Sequence, residues 1–418
     1  MTDHDSNSGE GGNDDHVDRG EQVRRDAFAQ QVIDRLRAAG VASEVDYQAE
    51  DFQLAVRGDK ESILFLGNAY HEYNSLDDEN RSNALRRFIR GWLQAHNPQP
   101  EEYADILPDL LPALRSRSFF EAARLRMEIE GNEDTFLPYQ IIGDDLGLGL
   151  VYDMPDSMKP ISNKELDLWG VTFYEALESA RQNLLELRPR IIGPEEGEGM
   201  YVFTTNDGYD STRLVLLELI HQFEVRGDYI AMVPGREMLI VAGSDDTPAL
   251  EAMVALTKNA FEQPRTVSAV AQRLERDEWT PWMPAADHPL YNEFQALRLM
   301  SMSQDYAEQK TLLDKLHERK SENLFAASYF VMQHKESGAM LNYCLWSAGI
   351  RSLLPRAERV VFGSPDQPTV MASWERVEAV VGDMMTPLGI YPERYRVDEF
   401  PTPEQLAEMG NELGDEDK

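Results

Sequence analysis

The string Asn206-Asp207-Gly208-Tyr209-Asp210-Ser211-Thr212-Arg213 brings two carboxylates, a phenol, hydroxyls and a guanidinium into one short stretch. A glycine turn leading from a strand into a helix would set Asp207, Asp210 and Ser211 at the helix N-terminus. Free amides and the helix dipole favour negative groups there, and polar side chains can meet a ligand. Asn206, Asp207, Tyr209, Asp210 and Arg213 are therefore the first ligand or partner candidates. The same residues also support a plainer architecture. Gly208 turns the chain, Asp210 or Ser211 caps free amides, Tyr209 packs, and Arg213 pairs with a carboxylate. A second candidate pair is Arg115 and Arg117, which alternate with serines. In an extended segment both guanidiniums would face one way and could grip an anion; in an acidic chain salt bridging is the favoured reading of the pair.

Other chemistries lack their residues. The glycines of Gly143 to Gly149 do not make a dinucleotide fingerprint, and no Gly-Lys-Ser/Thr phosphate loop occurs. The eight histidines form neither a His-Glu-x-x-His motif nor paired metal-ligand spacing, and no Gly-x-Ser-x-Gly elbow is present. His71 and His221 read as structural or solvated. Cys344, the only cysteine, lies in an apolar run without a nearby cation to lower its pKa, so a buried, inert thiol is expected. Met232, Met238, Met253 and Met384 read as core filler. Neither a cofactor nor a metal is expected, and no reaction can be read from the motifs.

These residues need elements to position them. Phe28, Val32 and Leu36 predict a helix from about Gln22 to Ala39. Alternation at Val45 and Tyr47, then at Phe52, Leu54 and Val56, with the run Ile63 to Leu66, predicts three strands. Leu85, Phe88, Ile89 and Trp92 predict a second helix. Further along, the segment around Arg115 leads into a helix through Glu121 and Met127, and Pro138 to Tyr152 reads as a hairpin. Helices are expected at Phe173 to Leu184, Ser211 to Phe223 and Pro248 to Phe261, with strands at Met200 to Thr204, Tyr229 to Met232 and Met238 to Ala242. A long amphipathic helix with Leu297, Leu312, Leu313 and Leu316 opens a last segment, with strands near Phe325 to Gln333 and Arg359 to Phe362 and a helix bearing Trp374, Val377 and Val381. Residues 233–246 and 354–366 echo each other as Pro, Glu, an apolar strand and Gly-Ser before Asp, a pattern open to duplication or to shared turn and cap chemistry.

The fold class is therefore α+β, with small, mostly antiparallel sheets covered by helices in two or three domains. The expected boundaries are a disordered tail at 1–20, α+β domains at 21–98, 99–285 and 286–400, and a disordered acidic tail at 401–418. The 418 residues carry 75 acidic and 40 basic side chains, a net charge of −35. Such a field opposes approach to nucleic acid or an anionic membrane. With 42% hydrophobic residues the chain can build cores, yet no window approaches the roughly 18 apolar residues of a membrane span. The opening residues lack the basic and apolar regions of a secretory signal, so a cytoplasmic location is expected.

Pro112-Ala113-Leu114-Arg115-Ser116-Arg117-Ser118-Phe119, Ala180-Arg181-Gln182-Asn183-Leu184, the string Asn206 to Leu214 and the strand pair ending at Ala242 resemble the YtpQ-like bacterial proteins, called domain of unknown function 1444. The resemblance covers roughly residues 22–284, and Asn206 to Leu214 is its most specific part. It implies a soluble cytoplasmic protein and supplies no activity, cofactor or catalytic residue. Residues beyond about 286 depart from the shorter members. Ample core without a triad, metal cluster or phosphate loop points to a non-enzymatic protein-binding or adaptor module. The alternative is an enzyme or sensor for a small anionic or amide ligand, built from carboxylates and arginines that meet only in three dimensions, such as Asp207 or Asp210 with Arg115.

Overall fold

The computed structural model describes residues 14–41, 44–57, 61–95, 100–195, 197–333, 340–365 and 367–410. Residues 58–60, where Arg57-Gly58-Asp59-Lys60 reads from sequence as a turn between the second and third strands, and residues 96–99, which read as part of a connection, fall outside them, as do residues 1–13 and 411–418 of the expected tails. The chain is α+β and divides into two compact units, one of residues 1–100 with 153–159, the other of 101–152 with 160–418.

The first unit sets the helix Asp14–Ala38 against an antiparallel sheet in the order Glu44–Gln48, Gln53–Arg57, Glu61–Phe65. Phe28, Val32 and Leu36 project every fourth residue onto Leu54 and Leu64, and Leu85 and Ile89 of the helix Asp78–Ala95 complete that core. Three details differ from the sequence reading. The first helix begins at Asp14, so residues 14–20 are helical, and a further helix, Gly67–Ser75, precedes Asp78–Ala95. Phe52 is not in a strand: its φ of 47° places it in the turn before Gln53, with its ring packed edge-on to Tyr70.

In the second unit a six-stranded antiparallel sheet runs Glu278–Pro281, Gln272–Glu275, Tyr229–Gly235, Met238–Gly243, Tyr201–Phe203, Ile191–Ile192. Ile230, Met232, Ile240 and Ala242 alternate onto one face, where Leu250, Met253 and Val254 of the helix Thr247–Phe261 cover them. The strand Leu110–Ser116 pairs with Leu146–Met154, whose hairpin partner is Gln140–Ile142. The helix Tyr291–Lys320, thirty residues long, joins the segments assigned from sequence to the 99–285 and 286–400 domains. Its Phe294 and Leu297 enter the six-stranded sheet's core, while Leu312, Leu313 and Leu316 pack with Ala122, Leu125, Ala326 and Leu353.

Two further readings are corrected. The segment Ser211 to Phe223 is not one helix but a 3-10 turn, Ser211–Val215, and a short helix, Leu217–Ile220, separated by Leu216 at ψ 75°. The tail assigned to 401–418 contains a helix, Pro403–Met409, with Leu406 and Met409 buried in the C-terminal core. The internal echo also diverges. Met238–Gly243 pairs with the strand just before it, whereas Ser352–Pro355 and Arg359–Ser364 lie in different sheets.

Candidate functional site

The chain leaves the strand Tyr201–Phe203 and turns through Asn206 and Gly208, both left-handed at φ 57° and 82°. Asparagine and glycine are the residues that tolerate this backbone. The turn brings Asp207, Asp210 and Arg213 together. Arg213, with none of its surface exposed, donates from Nη2 to Asp207 Oδ2 at 2.6 Å and from Nη1 to Asp207 Oδ1 at 3.0 Å. Nη1 also reaches Asp210 Oδ1 at 3.2 Å, and Nη2 donates to the Leu187 carbonyl at 3.3 Å. Asp210, also fully buried, accepts from the Thr205 and Asn206 amides at 3.2 and 2.8 Å. Burial pushes the Asp207 carboxyl up, but Arg213 and the Tyr209 amide more than offset this, and it lies below the usual carboxylate range. Tyr209 is buried, Asn206 is exposed, and Thr212 Oγ1 accepts from the Leu114 amide at 3.1 Å. Arg213 thus ties the turn after the strand Tyr201–Phe203 to the end of the helix Phe173–Glu186, and Thr212 ties the 3-10 turn to the strand Leu110–Ser116.

Arg115 and Arg117 do not share a face. Ser116 ends the strand and caps the helix Arg117–Ile129, its hydroxyl accepting from the Phe119 amide at 3.2 Å. Arg117 therefore starts a helix, and its guanidinium lies 4.6 Å from the Tyr391 ring centre while donating to the Asp144 carbonyl at 3.3 Å. Arg115 is buried, donates to the Leu114 carbonyl at 2.7 Å, and lines a cavity of about 150 Å³ with Arg236, Ser301, Asp305 and Glu308. Neither Asp207 nor Asp210 is part of that lining. Burial first, then the like charge of Arg236, lowers the Arg115 pKa to about 9. Burial and Arg265 lower that of Arg236 to about 10, so both guanidiniums stay protonated at neutral pH. Asp305 accepts from Ser118 Oγ at 2.5 Å, and burial pushes its carboxyl up to about 7.

Sequence reasoning missed Arg236 and Asp305. Arg236 sits in a hairpin turn and Asp305 on a charged helix, and no local pattern marks either as facing a cavity. Within the Pro138 to Tyr152 hairpin, Asp145 is not singled out by the sequence either. That side chain is buried, bonded to Ser268 Oγ and to Gln272 Nε2, the latter at 2.7 Å. Cys344 is fully buried, and its thiol is pushed up to about 12 by burial.

A third feature is apolar. In the sheet Tyr329–Gln333, Met340–Ser347, Arg359–Ser364, Gln367–Ser373, the inward row holds Cys344, Trp346, Val360, Phe362 and Ala372 against the helix Trp374–Val381. The outward row pairs Phe330 with Tyr343, Met332 with Leu341, Leu345 with Val361, and Val361 with Met371. None of this row is buried, and Phe330, Met332 and Leu345 are 39, 39 and 37% exposed.

Among the described residues no helix is long and apolar enough to cross a membrane, and no group of three or more His, Cys, Asp or Glu is arranged to hold a metal ion. The chain is similar to uncharacterised bacterial proteins. A UPF0354 protein of Listeria innocua is 26% identical over 113 residues, 26% of this chain and 42% of the relative. One of Listeria welshimeri is 23% identical over 163 residues, 34% of this chain and 61% of the relative. One of Bacillus cereus strain AH187 is 28% identical over 163 residues, 37% and 55% of the two chains. The chain thus spans about half the length of the curated relatives it matches. No family model matches it, and no solved structure does.

Proposed function

We propose that the chain is a non-enzymatic, cytoplasmic protein-binding module that meets its partner with the outer face of the Tyr329–Ser373 sheet. The observation that carries this reading is the row Phe330, Met332 and Leu345, each more than a third exposed, joined by Leu341, Tyr343, Val361 and Met371. Scattered apolar side chains are ordinary on a protein surface, whereas a contiguous patch marks a surface that is covered in use. A charge of −35 repels a second copy, so the reading favours a different protein, one that offers apolar side chains flanked by basic ones. The likeness to YtpQ-like proteins over residues 22–284 belongs to the same reading, since it supplies no catalytic residues. An enzyme acting through Asp207 or Asp210 with Arg115 has less support, because both carboxylates are bonded to Arg213.

The test is affinity purification from the native organism under gentle crosslinking, with wild type beside a Phe330→Glu, Leu345→Glu double variant of matched melting temperature. A basic partner should be recovered by wild type and fall by at least about tenfold with the variant, as loss of central apolar contacts requires. Equal recovery by both proteins would remove the sheet face from the reading.

A further inference from the structure

The cavity beside Arg115 plays no part in the sheet-face reading, and its two walls differ in charge. Arg115 comes from the strand Leu110–Ser116 and Arg236 from the turn between Tyr229–Gly235 and Met238–Gly243. Among the described residues the Arg236 guanidinium makes no ion pair within 4 Å, although the neighbouring Glu237 carboxylate acts on it, and its buried Nε has no hydrogen bond. Enclosing two like charges side by side is costly unless an anion offsets their repulsion. The opposite wall is the helix Tyr291–Lys320, which presents Ser301, Asp305 and Glu308 at i, i+4, i+7 on one face. Asp305 Oδ1 takes the Ser118 hydroxyl, and its other oxygen has no donor among the described residues. Glu308 is engaged by Arg126. Phe119, Phe261 and Val267 add apolar surface, and Ser116, Thr266 and Gln304 complete the lining with neutral polar groups.

The size restricts what can enter. An engineered cavity of about 150 Å³ accommodates benzene, so the space here suits a ligand of about six to eight heavy atoms. A simple anion would complete Arg236 and offset the like charge of Arg115 but leave the Asp305 oxygen bare; an amine alone would do the reverse. We propose that this cavity binds a small zwitterion of the amino-acid class, its carboxylate held by Arg115 and Arg236 and its ammonium by Asp305.

Calorimetric titration of the full chain with L-alanine, L-serine, acetate and inorganic phosphate tests this. The amino acids should bind, with acetate and phosphate weaker by at least about tenfold, the value of one lost charged contact. Arg236→Gln should weaken alanine by a similar factor, and Arg236→Lys should recover part of the loss. Asp305→Asn should weaken alanine more than acetate. Circular dichroism and melting curves establish that each variant is folded, and the isosteric Asp305→Asn keeps the test decisive if Arg236→Gln does not fold. Absence of heat with every probe at about 10 mM would overturn the proposal, since a site weaker than that has no built recognition. Acetate or phosphate matching the amino acids, or alanine binding indifferent to Arg236→Gln, would overturn it as well.

Discussion

Arg213 is a buried cation whose cost is met by two carboxylates and a carbonyl, and the balance makes it hard to replace. Removing one partner of a buried pair costs more than the pair contributes, because the remaining charge is left without compensation. Arg213→Ala should therefore destabilise the protein by about 3–5 kcal/mol, read as a fall in the urea midpoint. Asp207→Asn, at a side chain 28% exposed, should cost only about 1 kcal/mol. Were these residues arranged for a ligand alone, both changes would leave the midpoint nearly fixed. Asp145 behaves in the opposite sense. Burial raises its carboxyl to about 6, although Ser268 and Gln272 bond to it. The folded state therefore holds a proton that the unfolded chain releases near about pH 4, and stability falls as pH rises from there through about 6. Asp145→Asn keeps an acceptor for Gln272 and offers a donor to Ser268. It should flatten that slope and add on the order of 1–3 kcal/mol near about pH 8, measured by urea unfolding across pH. An unchanged slope would assign the dependence to other groups.

Elements that obey one period were legible, and elements set by side-chain capture were not. Phe173–Glu186 and Thr247–Phe261 follow their apolar stripes, and each carries a side-chain cap, from Thr172 and Asp246. The hairpin Tyr229–Gly235 with Met238–Gly243 follows from two apolar runs around Pro-Gly-Arg-Glu. The segment from Ser211 carries an equally helical pattern of leucines, yet the backbone departs from it where Arg213 is drawn inward to Asp207 and Asp210. Ser116 similarly converts an expected alternation of Arg115 and Arg117 into a strand end and a helix start. Pro403–Met409 did carry a readable signal in Thr402-Pro403-Glu404-Gln405, a capping box with proline at the first turn, which the acidic composition of the tail masked. The pairing of Asp207 and Asp210 with Arg213 could be foreseen as local chemistry. The meeting of Arg115, Arg236 and Asp305 could not, because it depends on how the hairpin turn and the helix Tyr291–Lys320 converge.

At the scale of the whole molecule the dominant quantity is the charge of −35. Ion pairs such as Arg226 with Glu198 and Arg351 with Asp398 lie at the surface, where each contributes little, and they leave most of the acidic excess without a counter-charge. Compact folding gathers that excess and works against itself. Salt should relieve the repulsion. Between about 0.01 M and 0.15 M ionic strength the screening length shrinks from about 30 Å to about 8 Å, which separates charges across the surface while sparing close pairs. The melting temperature should rise over that range by a few degrees, on the order of 1 kcal/mol, and level off above it. Calorimetric melts in sodium chloride check this. A falling melting temperature would mean that the close pairs outweigh the net repulsion. The same screening weakens long-range attraction to a basic partner, so affinity at the sheet face should decline over the interval in which stability climbs. The two slopes must have opposite sign if one acidic field governs both; a partner whose affinity ignores salt would be held by the apolar row alone.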